Sequence, residues 1–114
     1  MVLTCLETAH FHLYKILAPE DWEESKALGY VKPLAMDAAF IHLCTKDQVD
    51  HIIAKYWKNH SQLVVLSLDP TQFQGRLVKE KNPGGATEYF HLYGGRIPLT
   101  AVVQSVHHGV SHAT

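Results

Sequence analysis

Leu63 to Leu68 reads Leu-Val-Val-Leu-Ser-Leu, a nearly continuous apolar run closed by Asp69-Pro70. A strand with one wet face alternates apolar and polar residues, and a run that does not alternate belongs in the middle of a sheet. The rest of the chain must therefore supply neighbouring strands. With 114 residues there is room for one domain and little for a second. A chain of this length buries roughly two thirds of its unfolded surface and holds a core without staples. Apolar residues make up 46% and charged residues 18%, a balance that excludes general disorder.

Residues 1–11 read as an extension. Tyr14-Lys15-Ile16-Leu17 is a short strand. Pro19 suits the first position of a helix, and Glu20, Asp21, Glu23 and Glu24 place negative charge near its positive end. Gly29 stops that helix, which the Trp22 indole anchors, since Trp22 and Leu28 are its few apolar positions. Tyr30 to Ala39 is a loop or broken strand around Pro33, and Phe40 to Cys44 is strand-compatible. Thr45 with Gln48 three residues later matches a capping box. Val49, Ile52, Ile53, Tyr56 and Trp57 then form one apolar stripe of a second helix. Arg76 to Glu80 alternates weakly and suits an edge strand. Asn82-Pro83-Gly84-Gly85 is a turn, Glu88 to Tyr93 a strand stopped by Gly94-Gly95, and Ala101 to Val106 the last strand before a ragged tail from His107. Two helices near the front with strands behind predict an α+β fold. The domain is expected over 12–107, with a tail at 108–114.

Ten Lys plus Arg against eleven Asp plus Glu give a formal charge of -1. That balance supplies no positive field for nucleic acid or anionic membrane, though it leaves open a phosphorylated nucleic-acid end. No apolar run approaches a membrane span, and Met1 to His10 lacks the basic region and apolar stretch of a signal peptide. Cys5 and Cys44 are too far apart to announce a CxxC pair. The expected setting is a reducing, cytoplasmic one. Cys44 precedes a helix, but with no triad order around it a buried, inert thiol is expected.

Nine histidines are many for this size. His10, His12, His51, His60, His107, His108 and His112 show no partner in sequence. There is no HExxH, and no metal site is expected. His42 differs: it lies in an apolar strand just before a capped helix, where free backbone N–H groups favour an anion. It is either a ligand group or a core histidine with a satisfied hydrogen bond. Thr45 is either a cap or a phosphate contact. In a second constellation, Glu88, Tyr89, His91 and Tyr93 stand between two glycine pairs. If that segment is extended, Glu88 shares a face with Phe90 and Leu92, while His91 shares the other with Tyr89 and Tyr93. The glycines fit a hairpin and a flexible lip equally well.

Three segments together carry a resemblance: Tyr-Lys-Ile at 14–16 with Trp22; Phe-Ile-His-Leu-Cys-Thr at 40–45 with Gln48-Val49; and His-Leu-Tyr-Gly at 91–94 followed by Ile-Pro-Leu at 97–99. In order and spacing, from Tyr14 to Val106, they resemble the bacterial domain-of-unknown-function family 952. That family is similar in fold to the ADP-ribosyltransferase superfamily, which binds NAD in a cleft between two small sheets. The resemblance implies a small ADP-ribosyltransferase-like domain: two short antiparallel sheets forming a cleft, with two helices near the N-terminus. Phe-Ile-His-Leu resembles a strand of the RNA 2′-phosphotransferase branch. Glu88 falls where many transferases of this group carry a late-strand acid. Three departures stand out: Tyr14 and Lys15 where a His or Arg holds the nicotinamide or ribose, Cys44 for the usual Ser, and Phe90 for a common Pro.

The resemblance implies NAD as cofactor and a nucleotide or ADP-ribosyl ligand as partner. Glu88 would stabilise positive charge as the glycosidic bond breaks, and His42 would orient ribose or phosphate. Tyr14, Lys15, Thr45, His91 and Tyr93 would bind the ligand. Three functions are consistent with these residues: an ADP-ribosyltransferase-like enzyme, a non-catalytic module that kept the cleft, and a small interaction protein. The missing His or Arg on the first strand favours the module over the enzyme. Convergence of His42, Glu88, Tyr14 and Tyr93 on one concavity is the expectation of either cleft reading.

Overall fold

The computed structural model describes residues 11–109. The N-terminal extension (apart from Phe11) and the tail beyond Gly109 lie outside them, with Cys5, His10 and His112. The elements are β1 (Leu13–Leu17), α1 (Pro19–Leu28), β2 (Ile41–Leu43), α2 (Val49–Tyr56), β3 (Gln62–Leu68), β4 (Gln74–Lys81), β5 (Glu88–Arg96) and β6 (Val102–Gly109), with short 3-10 turns between several of them. The strands form two three-stranded antiparallel sheets, ordered β1-β3-β6 and β2-β5-β4. Two antiparallel sheets and two helices make the fold a small α+β one.

The apolar run is the middle strand of the first sheet, buried from Leu63 to Leu68. Its residues divide by parity. Val64, Leu66 and Leu68 enter the main core with Leu13, Leu17 and Trp22, together with Ile41, Leu43 and Leu92 of the second sheet. Leu63 and Val65 join Ile16 beneath α2, against Val49, Ile52, Ile53 and Trp57. The stripe read from the sequence is the face that α2 lays on this sheet. The helix proper starts later than the capping pattern suggests, because Lys46–Gln48 forms a 3-10 turn first.

In α1, Pro19 occupies the first turn and Gly29 ends the helix in the left-handed region at φ 87°. Trp22 is buried, but Leu28 is exposed. The second inward residue is Ser25, whose hydroxyl donates to the Asp21 carbonyl and accepts the Lys32 N–H.

Two boundaries differ from expectation. The last strand does not end at Val106 but pairs with β3 through His107, His108 and Gly109. Gly94-Gly95 does not stop β5, which runs on to Arg96. The glycines allow β5 to press against β4 where its register shifts between Gln74 and Arg76. A Cβ on Gly95 would collide with the Gln74 carbonyl oxygen.

Gly95→Ala therefore forces two backbones apart, and we expect a loss of about 2–3 kcal/mol. Gly85→Ala meets its nearest atom, the Asn82 carbonyl oxygen, at 3.3 Å, and should change stability far less. Thermal melts of the two variants make the comparison.

Candidate functional site

The two sheets meet at one backbone bridge. Tyr14 N–H donates to the Cys44 carbonyl at 2.8 Å and Cys44 N–H to the Tyr14 carbonyl at 3.0 Å. Beside this bridge a cavity of about 290 Å³ opens between β1, α2 and the β4–β5 turn. Tyr14, Lys15, His42, Trp57, Asn82 and Tyr89 are among the residues lining it. Because Tyr14 turns its peptide groups away from β3, Ile16, two residues on, does the same. Ile16 also lines the cavity, so an unpaired stretch of strand edge borders it.

Lys15 sits on the core face of β1 with its side chain 3% exposed. Its ammonium lies 3.0 Å from Asp37 Oδ2 and donates to the His42 carbonyl at 3.0 Å. Asp37, at the end of a 3-10 turn, is equally buried and saturated with donors: Leu34 N–H at 2.7 Å, His42 N–H at 3.0 Å and His42 Nδ1 at 2.9 Å. Burial works to raise the Asp37 pKa. The hydrogen bond from His42, the Lys15 charge and the two backbone N–H groups outweigh it and hold the carboxyl at about 2. Burial pushes the Lys15 pKa down, opposed by Asp37. With Nδ1 held by Asp37, the other nitrogen of the partly exposed His42 ring, Nε2, has no hydrogen-bond partner among the described residues.

A second polar cluster lies on the same face of the β2-β5-β4 sheet. His91 is completely buried, with Nδ1 2.8 Å from Glu80 Oε2 and Nε2 2.8 Å from Asn82 Oδ1. The Tyr93 hydroxyl donates to the same Glu80 oxygen. That bond and the one from His91 lower the Glu80 pKa, while Glu80 raises that of Tyr93. The Arg76 guanidinium lies over the Tyr93 ring. Phe40 stacks on His91 at 4.0 Å and tilts against His42 at 4.7 Å, joining the two clusters.

Of the residues singled out from the sequence, Tyr14, Lys15 and His42 line the cavity. His42 has the satisfied hydrogen bond of one of its two readings, and it also lines the cavity. Thr45 turns its hydroxyl to Asp47, while its N–H donates to Gln48 Oε1. His91 and Tyr93 share the face of His42 but belong to the Glu80 cluster. Glu88 falls on the opposite face of β5, is exposed at the strand's start, and offers its carbonyl to Gln48 Nε2 at 2.9 Å. His42 and Tyr14 thus meet in one hollow, and Glu88 and Tyr93 do not join them. Burial pushes the Cys44 thiol up to about 12, the state of an unreactive cysteine.

Asp37, Glu80 and Asn82 complete the geometry and were not singled out from the sequence, while Tyr89 stood in the second constellation with no role assigned. One sequence signal pointed to Asp37: Lys15 stands inside an apolar strand, and a buried lysine requires a carboxylate. Among the described residues, no group of three or more His, Cys, Asp or Glu side chains could hold a metal ion. No described helix is long and apolar enough to cross a membrane.

Residues 16–105 match the model of the family described as "Protein of unknown function (DUF952)". The crystal structure of protein CC0527 from Caulobacter crescentus is similar, with 30% identity, a TM-score of 0.73 and 84% of each chain covered. A double mutant of the same protein gives 31% identity and a TM-score of 0.73, again over 84% of each chain. Its solution structure gives 28% identity and a TM-score of 0.66, covering 83% of this chain and 82% of that one. No curated protein matches the sequence.

Asp37 titrates at about 2 in the folded chain against an ordinary 3.8, so the unfolded chain binds the proton first. Its stabilisation, on the order of 2 kcal/mol, is fully present above about pH 4 and is lost as pH falls through about 2. Asp37→Asn should remove that acid dependence and cost about 3–5 kcal/mol by leaving Lys15 buried and unpaired. Adding Lys15→Met should recover part of the loss. Urea unfolding of the three proteins between pH 2 and 7 provides the check.

Proposed function

Because the chain belongs to the DUF952 family of proteins of unknown function, its activity has to be argued from the cavity, and we propose that this cavity takes the nicotinamide-ribose end of an NAD-type nucleotide. The observation that carries the reading is His42, fixed through Nδ1 by a buried carboxylate and set in the cavity wall. Asp37 orients the ring, so Nε2 can exchange a hydrogen bond with a ribose hydroxyl or a phosphate. Trp57 and Tyr89 offer flat apolar surface for a planar ring. The outward N–H and C=O of Ile16 match the acceptor and donor of a carboxamide. The volume of about 290 Å³ suits a pyridine and its sugar, with the adenosine half outside. The likeness of Phe-Ile-His-Leu to an ADP-ribosyltransferase-type strand supports the same ligand class.

Binding without transfer is the reading the geometry favours. Among the described residues lining the cavity there is no carboxylate, so nothing there would stabilise the positive charge that develops when a glycosidic bond breaks. Glu88 lies on the other face of its strand. The first strand, moreover, supplies Tyr14 and Lys15, and the Lys15 ammonium is already engaged by Asp37.

Thermal shift against NAD, ADP-ribose and nicotinamide mononucleotide tests the proposal. A ligand at a hundred times its Kd adds roughly 2.7 kcal/mol, a rise in Tm of about 10 °C or more for a domain of this size. NAD and nicotinamide mononucleotide should raise Tm, His42→Ala should abolish the rise, and Glu88→Gln should leave it unchanged. Nicotinamide release should not exceed the protein-free rate. No shift with any of the three compounds would refute the nucleotide reading. Release that is lost in Glu88→Gln while the shift persists would replace the binding module with a transferase.

A further inference from the structure

We infer that β6 is the contact edge of a homodimer, pairing antiparallel with β6 of a second copy across a two-fold axis at Val106.

The argument begins with how each described sheet edge is protected. An unpaired edge strand is a template for another strand, and proteins blunt it with charges, shortness or cover. The edge of β4 carries Arg76, Lys79, Glu80 and Lys81. That of β2 is three residues long. At β1, the Cys44 bridge pairs Tyr14 and α2 roofs the stretch beyond it. Among the described residues, β6 has none of these devices. It is eight residues long, Val-Val-Gln-Ser-Val-His-His-Gly, without Pro, Lys, Arg, Asp or Glu. It is exposed from Val103 to Gly109, with Val103 at 56% and Val106 at 36%.

Parity identifies the groups that such an edge offers. Tyr14 turns its peptide groups to Cys44, so its partner Ser67 must turn its own toward β6. Ser67, Val65 and Leu63 therefore bond to Gln104, Val106 and His108. The peptide groups of Ser105 and His107, the intervening residues, point outward.

A second copy is the occupant that fits. With the axis at Val106, Ser105 meets the second copy's His107 and His107 meets its Ser105, so each outward pair is satisfied reciprocally, as a two-fold contact requires. Val106 packs on its own counterpart as a non-hydrogen-bonded pair, the close type of side-chain contact. Because the strand carries no formal charge, self-pairing brings no like charges together. The two sheets become one of six strands, joined over the seven residues from Val103 to Gly109, about 24 Å. Beside β6 on the α2 face lies a groove of about 540 Å³ lined by Val49, Ile53, Val65 and Val106. The dimer sets the grooves of the two copies side by side across the axis and extends the buried surface beyond the strand itself.

Sedimentation equilibrium over a hundredfold range of concentration tests the inference. The wild-type chain should approach twice its monomer mass. Ser105→Pro deletes an N–H that the fold does not use and is tolerated only at such an edge. That variant and Val106→Lys should sediment as monomers while keeping cooperative melts. Hydrogen exchange on the wild type needs no variant: the Ser105 and His107 amides should gain protection with concentration. A wild-type monomer throughout the range overturns the proposal. So does a dimer that survives in folded Ser105→Pro and Val106→Lys. Protection of both amides in a monomer would place another segment of the chain on this edge, and that also overturns it.

Discussion

The arrangement depends on a lysine that the fold takes out of water. Lys15 occupies a core position of β1, and its ammonium is held by one carboxylate and one carbonyl. Removing a charge from water costs several kcal/mol, and attraction repays it only when geometry is good and the remaining hydrogen-bonding capacity is filled. Asp37 meets that condition with four donors around its two oxygens: an ammonium, an imidazole and two backbone N–H groups. Because those groups come from β1, the Leu34–Asp37 turn and β2, the pair fixes the relation of the two sheets at the point where they join. An apolar pair of the same shape would give comparable stability, but it would not aim His42.

The cavity follows from that junction. One bridge, Tyr14 to Cys44, ties the sheets, and continuing the antiparallel pairing would bring Ile16 against His42. Instead the His42 N–H goes to Asp37 Oδ1 and its carbonyl accepts from the Lys15 ammonium, and after Cys44 the chain turns at Thr45 and enters α2. The strand edge beside the bridge is left open, α2 roofs it, and the imidazole that Asp37 fixes closes one side. A site thus arises where two sheets stop pairing, and its polar groups are those the junction already needs.

How much of this was legible depended on the range of the interaction. The inner strand, the Gly29 stop, the stripe of α2 and the Asn82–Gly85 turn are written in neighbouring residues, and the structure has them. Parity along β5 was equally readable: it placed Glu88 with Phe90 and Leu92, away from His91 and Tyr93, and that is where the backbone sets it. The expected gathering of Glu88 with His42 came from the family likeness, which carries position along the chain but not the face on which a side chain emerges. Asp37 and Glu80 were missed because Lys15 and His91, the buried groups they serve, lie 22 and 11 residues away, across pairings that no local pattern encodes. The strand reaching Gly109 was missed for a related reason: Val-His-His-Gly has little strand character alone and is held by its pairing to the inner strand.

The second polar cluster acquires a purpose beside the first. His91 is too deeply buried to meet a ligand, yet both ring nitrogens are bound, to Glu80 and Asn82, and Phe40 lies flat against it. Phe40 in turn leans on His42. A ring fixed at one nitrogen can still swing about that bond. Asp37 fixes His42 at Nδ1, and Phe40, backed by the immobile His91, restricts the swing. Glu80 and Asn82 act at one further remove, and Asn82 also lines the cavity. The imidazoles of β2 and β5, paired directly across the sheet, thereby divide the work: one faces the cavity, and the other keeps it facing there.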